Sequence, residues 1–214
     1  MAPNPPQRLE RPGEAGALLK IRGEAAIATV RMFVAVLLPD ELRSRLGLEI
    51  DGLRRHASGV AWVAAENLHI TLKFLGGVDD ARVAEICGAL HGASAIPAFD
   101  VGVQGLGAFP TLARPRVVWA GTAAAPAFVR LAEGIDRALV ALGVPAEARG
   151  FSPHVTLGRV REPRRDVPLA EALESGATRP FGALRVARVS LMRSDLSPRG
   201  ARYTELAGVE LPSA

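Results

Sequence analysis

The tetrapeptide His-aliphatic-Thr-Leu occurs twice in this chain, as His69-Ile70-Thr71-Leu72 and as His154-Val155-Thr156-Leu157. Apolar and polar positions alternate, so each copy reads as a strand with one face in a core and the other carrying a histidine and a threonine. The segments before the two copies follow the same order. Ahead of the first come an apolar strand (Phe33, Val34, Val36, Leu37) and a helix opened by Pro39-Asp40, with Leu42, Leu46, Ile50 and Leu53 on one face. Ahead of the second come a strand over Arg116 to Ala120 and a helix over Pro126 to Leu142. That helix turns Phe128, Leu131, Ile135, Leu139 and Leu142 inward and stops at Gly143. A strand–helix–strand–helix–strand order met twice implies a duplicated chain, two lobes related by an approximate two-fold axis.

The first motif strand is expected over Leu68 to Leu75, closed by a Gly76-Gly77 turn. Asp79 then caps a helix with Val83, Ile86, Cys87 and Leu90 on its inner face. Phe99, Val101 and Val103 alternate as a strand, and a Gly/Pro loop follows through Gly105, Gly107 and Pro110. The second motif strand, Pro153 to Gly158, precedes a short helix over Leu169 to Leu173 and strands over Val186 to Met192 and Arg202 to Leu206. Interleaved strands and helices also suit a parallel doubly wound sheet, but no Gly-rich phosphate loop joins a strand to a helix. The expected fold is therefore α+β and bilobal, with two pseudo-symmetric lobes whose antiparallel sheets form a central cleft and whose helices lie outside. Residues 1–30, with Asn4-Pro5-Pro6 and Pro12-Gly13 and no sustained periodicity, read as a tail. Residues 31–214 read as a single domain, the first repeat at about 32–106 and the second at about 115–209.

Composition narrows the class. With 49% hydrophobic and 22% charged residues and a net charge of +4, the chain can build a core and is not expected to be disordered. Its best apolar run, Met32 to Leu38, ends at Pro39-Asp40, too short to cross a bilayer. No secretory signal is evident, and the single cysteine, Cys87, allows no internal disulfide and no zinc cluster, so a reducing cytoplasm is expected; the expected form is a monomer. Lys20 and Lys73 are the only lysines, all other basic residues being arginine. Arginine suits phosphate and stacks on bases, and an arginine-rich genome would leave the same mark; both readings stand.

If the two lobes face each other, His69 with Thr71 and His154 with Thr156 meet in one cleft. A neutral imidazole on one side of a phosphorus atom can take a proton from attacking water, while a protonated one opposite gives a proton to the leaving oxygen. The threonine hydroxyls can donate to the non-bridging oxygens. A lone strand histidine is usually structural; two with the same partner, in step with a duplication, reverse that expectation. No carboxylate or cysteine recurs at ligand spacing beside them, so no metal or other cofactor is expected. His56 and His91, near predicted helix ends, read as structural or solvent-exposed.

These segments resemble a known group. Met32-Phe33-Val34-Ala35-Val36 leading to Leu38-Pro39, Glu66-Asn67-Leu68-His69-Ile70-Thr71-Leu72-Lys73-Phe74-Leu75-Gly76, Gly107-Ala108-Phe109-Pro110, Pro115-Arg116-Val117-Val118-Trp119, Phe151-Ser152-Pro153-His154-Val155-Thr156-Leu157-Gly158-Arg159 and Arg202-Tyr203 are similar to the RNA 2′,3′-cyclic phosphodiesterases, also called 2′-5′ RNA ligases, of the two-histidine phosphoesterase superfamily. The resemblance implies hydrolysis of a 2′,3′-cyclic phosphate at an RNA or nucleotide end to a 2′-phosphate, with Thr71 and Thr156 binding phosphate. Sequence does not decide which histidine does what; the family analogy makes His69 the acid and His154 the base. Arg159 carries over as a phosphate-binding group only if the strand ends or bulges near Gly158, since strict alternation points it the other way; otherwise it is a solvated arginine beside Arg161, Arg164 and Arg165. Phe109 and Phe33 are candidates for base stacking, Phe33 also for core packing, and Trp119 reads as core. Ligation or cleavage of 2′-5′ linkages at the same site, and a non-catalytic RNA- or nucleotide-binding module, are the alternatives.

Overall fold

The computed structural model describes residues 29–57, 59–162, 166–197 and 200–213. Most of the expected tail therefore lies outside the described residues, as do Arg164 and Arg165. Strand β1 (Thr29–Leu37) begins two residues before the expected start at Arg31. It is followed by α1 (Asp40–Arg54), β2 (Val60–Trp62), β3 (His69–Asp79), α2 (Val83–Ala93), β4 (Phe99–Phe109), β5 (Val117–Thr122), α3 (Pro126–Val140), β6 (His154–Val160), α4 (Val167–Ser175), β7 (Pro180–Val186), β8 (Arg188–Ser197) and β9 (Gly200–Glu210).

The strands form one curled, wholly antiparallel sheet in the order β7-β4-β5-β6-β3-β1-β8-β9, with β2 on β6. The expected α+β architecture is thus present, its two half-sheets joined edge to edge in the middle. There β3 and β6 share one register pair, Ile70 opposite Val155, and then separate; β2 takes over the free edge of β6 from Gly158 to Val160. The half-sheets do not coincide with the sequence repeats. β4, from the first repeat, pairs with β5 and β7, while β8, from the second, pairs with β1. Helices cross over too: α1 follows β1 but packs on β7, and α3 precedes β6 but packs on β3.

The helix faces are those the periodicity predicts. Leu42, Leu46, Ile50 and Leu53 of α1, and Phe128, Leu131, Ile135 and Leu139 of α3, are all buried. Gly143, at φ +84°, turns the chain out of α3. Two expected turns are bulges instead. Gly76, at φ +75°, lies inside β3: Phe33 faces Phe74 and Met32 faces Gly76, so the strand runs on to Asp79. Gly105, at φ +78°, likewise bulges β4, which continues through the expected loop to Phe109. Asp79 caps the short 3₁₀ turn over Asp80–Arg82, accepting from the Ala81 amide, and α2 follows that turn. The strand expected over Val186 to Met192 is divided at Ala187 between β7 and β8; β7, with Pro180 and Gly182, is an edge strand, where proline is tolerated.

Candidate active site

Both motif strands lie at the seam. Ile70, Leu72, Val155 and Leu157 are buried, while His69, Thr71, His154 and Thr156 are half-buried on the opposite, concave face. The two imidazoles are held in the same way. His69 Nδ1 lies 2.7 Å from the carbonyl of Asn67 and His154 Nδ1 lies 2.8 Å from the carbonyl of Ser152, each two residues back. A carbonyl only accepts, so each Nδ1 carries its proton and, in the neutral ring, each Nε2 keeps the lone pair that can take another. His69 Nε2 lies 3.0 Å from Thr71 Oγ1. Asn67 is itself anchored, its side-chain amide donating to the Ala201 carbonyl at 2.9 Å.

A second symmetry lies in the bulges. Ala35 faces Thr71 and Val34 faces Lys73, which leaves Leu72 without an opposite; Trp119 faces Thr156 and Val118 faces Gly158, which leaves Leu157 without one. Each bulge follows its threonine directly and reverses the facing of the side chains just after it. Lys73 and Gly158 turn inward and are buried, and Phe74 and Arg159 turn out at matched places. The bulge that Arg159 needs is therefore present. Its charge acts on both histidines, and the His154 charge acts on His69. Both imidazoles protonate below the ordinary histidine range, chiefly because burial disfavours the cation, with the Arg159 guanidinium adding to the effect.

Aromatic rings enclose each histidine. Phe33, almost wholly buried with Ala35 and Met192, has its ring centroid 4.9 Å from that of His69, and Tyr203 meets His69 edge-on at 5.2 Å. Phe33 is thus a wall of the His69 pocket, closed off from direct stacking on a base. Phe109 meets His154 edge-on at 5.1 Å and approaches Trp119 at 5.2 Å. Trp119 is not in the core: opposite Thr156, it lies half-buried on the concave face, over Gly107, where a Cβ would collide with the indole. Trp119, Tyr203 and the 61%-exposed Phe74 are the residues that strand periodicity alone misses. Their only signal was membership of the segments that carry the resemblance. His56 is exposed just beyond α1, and His91 is exposed on α2 with its Nδ1 tied to the Cys87 carbonyl. Among the described residues no group of three or more His, Cys, Asp or Glu side chains could hold a metal ion.

A curled antiparallel sheet that presents two matched imidazoles and a guanidinium is the outline of a phosphoesterase. The family model described as LigT like Phosphoesterase matches residues 36–119 and 122–203. The RNA 2′,3′-cyclic phosphodiesterase of Methanothermobacter thermautotrophicus is 36% identical over 178 residues, covering 83% of this chain and 96% of its own. That of Archaeoglobus fulgidus is 36% identical over 180 residues, covering 83% and 98%. The crystal structure of TT0787 of Thermus thermophilus superposes with a TM-score of 0.71 at 32% identity, covering 86% of this chain and 98% of that one. E. coli LigT complexed with 3′-AMP gives 0.68 at 28% identity, covering 86% and 98%. The chain belongs to the LigT-like phosphoesterase family.

Proposed function

We propose that this protein opens RNA 2′,3′-cyclic phosphate ends to 2′-phosphates, with His69 as general acid and His154 as general base. The name shared by the curated relatives, RNA 2′,3′-cyclic phosphodiesterase, supports the reaction. The observation that carries the mechanism is the matched pair of imidazoles, each fixed through Nδ1 to the carbonyl two residues back. Water attacks phosphorus and gives its proton to Nε2 of His154; the bond from phosphorus to O3′ breaks, and O3′ takes the proton from Nε2 of His69. Thr71, Thr156 and Arg159 hold the non-bridging oxygens as charge gathers there. In the free protein both rings are biased neutral by burial, and the phosphate anion between them restores the proton to the acid. RNA ends or small nucleotides are the substrates, no cofactor enters, and a cytoplasmic monomer is the working form in this reading.

Replacing His69 or His154 by Ala is expected to lower turnover of a nucleoside 2′,3′-cyclic phosphate by about 10²–10⁴-fold, with circular dichroism unchanged. The wild-type rate is expected to persist in excess EDTA. Full activity in either variant ends the acid–base assignment, and a 3′-phosphate product ends the choice of leaving oxygen.

A further inference from the structure

Past its bulge, β6 carries cations outward from the reaction centre. The ladder is regular there: Arg159 faces Ala61 of β2 and Val117 of β5, the Val160 amide donates to the Arg116 carbonyl at 2.9 Å, and the Arg161 amide donates to the Gly59 carbonyl at 3.0 Å. Alternation therefore puts Arg161 on the same face as Arg159, with Arg116 on the adjoining chain. All three arginines are exposed, and among the described residues none has an ion pair or a side-chain hydrogen bond. By contrast Arg185, Arg188 and Arg193, on β7 and β8, each hold a carboxylate. The β2 residues opposite Arg159 and Arg161 are small, and a Cβ on Gly59 would meet nothing within 4 Å, so this face lies open to a chain. The other motif strand has no such row: Phe74 and Gly76 stand after His69 where Arg159 and Arg161 stand after His154.

We propose that Arg161, with Arg116 beside it, binds the phosphate on the 5′-oxygen of the terminal nucleotide, so that the protein tells an RNA end from a free nucleoside 2′,3′-cyclic phosphate. This subsite rests on the reading that places the reacting phosphate between His69 and His154, with Arg159 on its oxygens. A strand advances about 7 Å in two residues, close to the step between neighbouring phosphates along an RNA chain. A phosphate next to the reacting one is therefore within reach of Arg161. The ribose lies toward His69, which serves its O3′, and β2 covers the edge of β6 that β3 leaves, so the row of arginines borders the ribose side of the seam. A guanidinium without a carboxylate partner has its paired N–H donors free for a diester. Such a contact reads charge and not base, so it favours a polynucleotide of any sequence.

The test compares kcat/KM for two substrates on the same preparations. One is a nucleoside 2′,3′-cyclic phosphate with a free 5′-hydroxyl; the other carries a methyl phosphate diester on O5′, which adds the charge of a chain phosphate and no second base. The wild-type protein is expected to prefer the second by about tenfold, and the preference is expected to shrink as salt rises. Arg161→Gln is expected to remove most of it and Arg161→Lys to keep part of it. Arg116→Gln is expected to reduce it as well, which carries the test if the Arg161 variants misfold. Equal kcat/KM on the two substrates in the wild type, or a preference that survives intact in the folded Gln variants, overturns the subsite and leaves the hydrolase reading standing. A wild-type protein inert on both substrates overturns the two together.

Discussion

Each imidazole donates to the carbonyl two residues behind it, so the tautomer of each is set by the backbone and not by a carboxylate. That leaves Arg159 as the named charge acting on both rings. Replacing it with Gln removes a cation whose repulsion disfavours the imidazolium, so both histidine pKa values rise. The acid then stays protonated to higher pH and the base needs higher pH to lose its proton, so both limbs of the kcat/KM profile move to the alkaline side. A profile that keeps its position while the rate falls would make Arg159 a phosphate ligand without influence on the histidines. At this scale the four motif side chains were legible because alternation fixes their face and repetition removes chance. Trp119 and Tyr203 were not: a tryptophan between apolar neighbours looks like core until β4 and β6 are laid on either side of it, and Tyr203 reaches His69 only because β9 folds back on β8 beside β1.

Among the elements, the motif strands depend on bulges that periodicity cannot see. Gly76 and Gly105 look like turn residues in sequence and serve as kinks inside strands, since a left-handed φ suits both uses. Gly158 works differently. A Cβ there would lie 2.6 Å from Val60 Cγ1 and 2.8 Å from Trp62 Cε3, so β2 fits against β6 only because the position is bare. Gly158→Ala is expected to destabilise the fold by about 1–3 kcal/mol, the usual range for overpacking, read from urea unfolding. Arg159 follows directly, so the same variant is expected to lose more activity than its fraction unfolded accounts for; equal losses would separate the bulge from the chemistry.

For the molecule as a whole, the duplication was legible but its assembly was not, because strand order is set by pairing across long separations. Each half-sheet draws strands from both repeats, so neither repeat builds a half alone. A chain ending at Val186 would strip β8 from β1 and remove Tyr203 from His69; we expect no cooperative thermal transition from it. The two repeats are also pinned by an ion pair between the buried Lys73 of β3 and Asp136 of α3, whose Lys73 ammonium also donates to the Pro145 carbonyl on the way to His154. Asp136→Asn leaves that ammonium without its counter-charge, and the expected loss is about 3 kcal/mol by chemical denaturation, at the low end for such pairs because a quarter of the Asp136 side chain is exposed. Acid acts through the histidines. Unfolded imidazoles bind protons near pH ~6.5 and the folded ones only below it, so stability is full above that pH and declines as pH falls through it, measurable as a lower Tm at pH 5 than at pH 7.5.

The near-two-fold frame is broken at matched positions, Phe74 against Arg159 and Ala35 against Trp119. In a perfectly mirrored pocket a ribose ring could enter in either of two flipped poses and yield both phosphate isomers equally. Here the flanks differ, one greasy and shut, the other cationic and open, so the poses differ in energy, and about 1.4 kcal/mol between them makes one isomer tenfold commoner. We therefore expect the choice of isomer to follow these four mismatched side chains more than the two histidines.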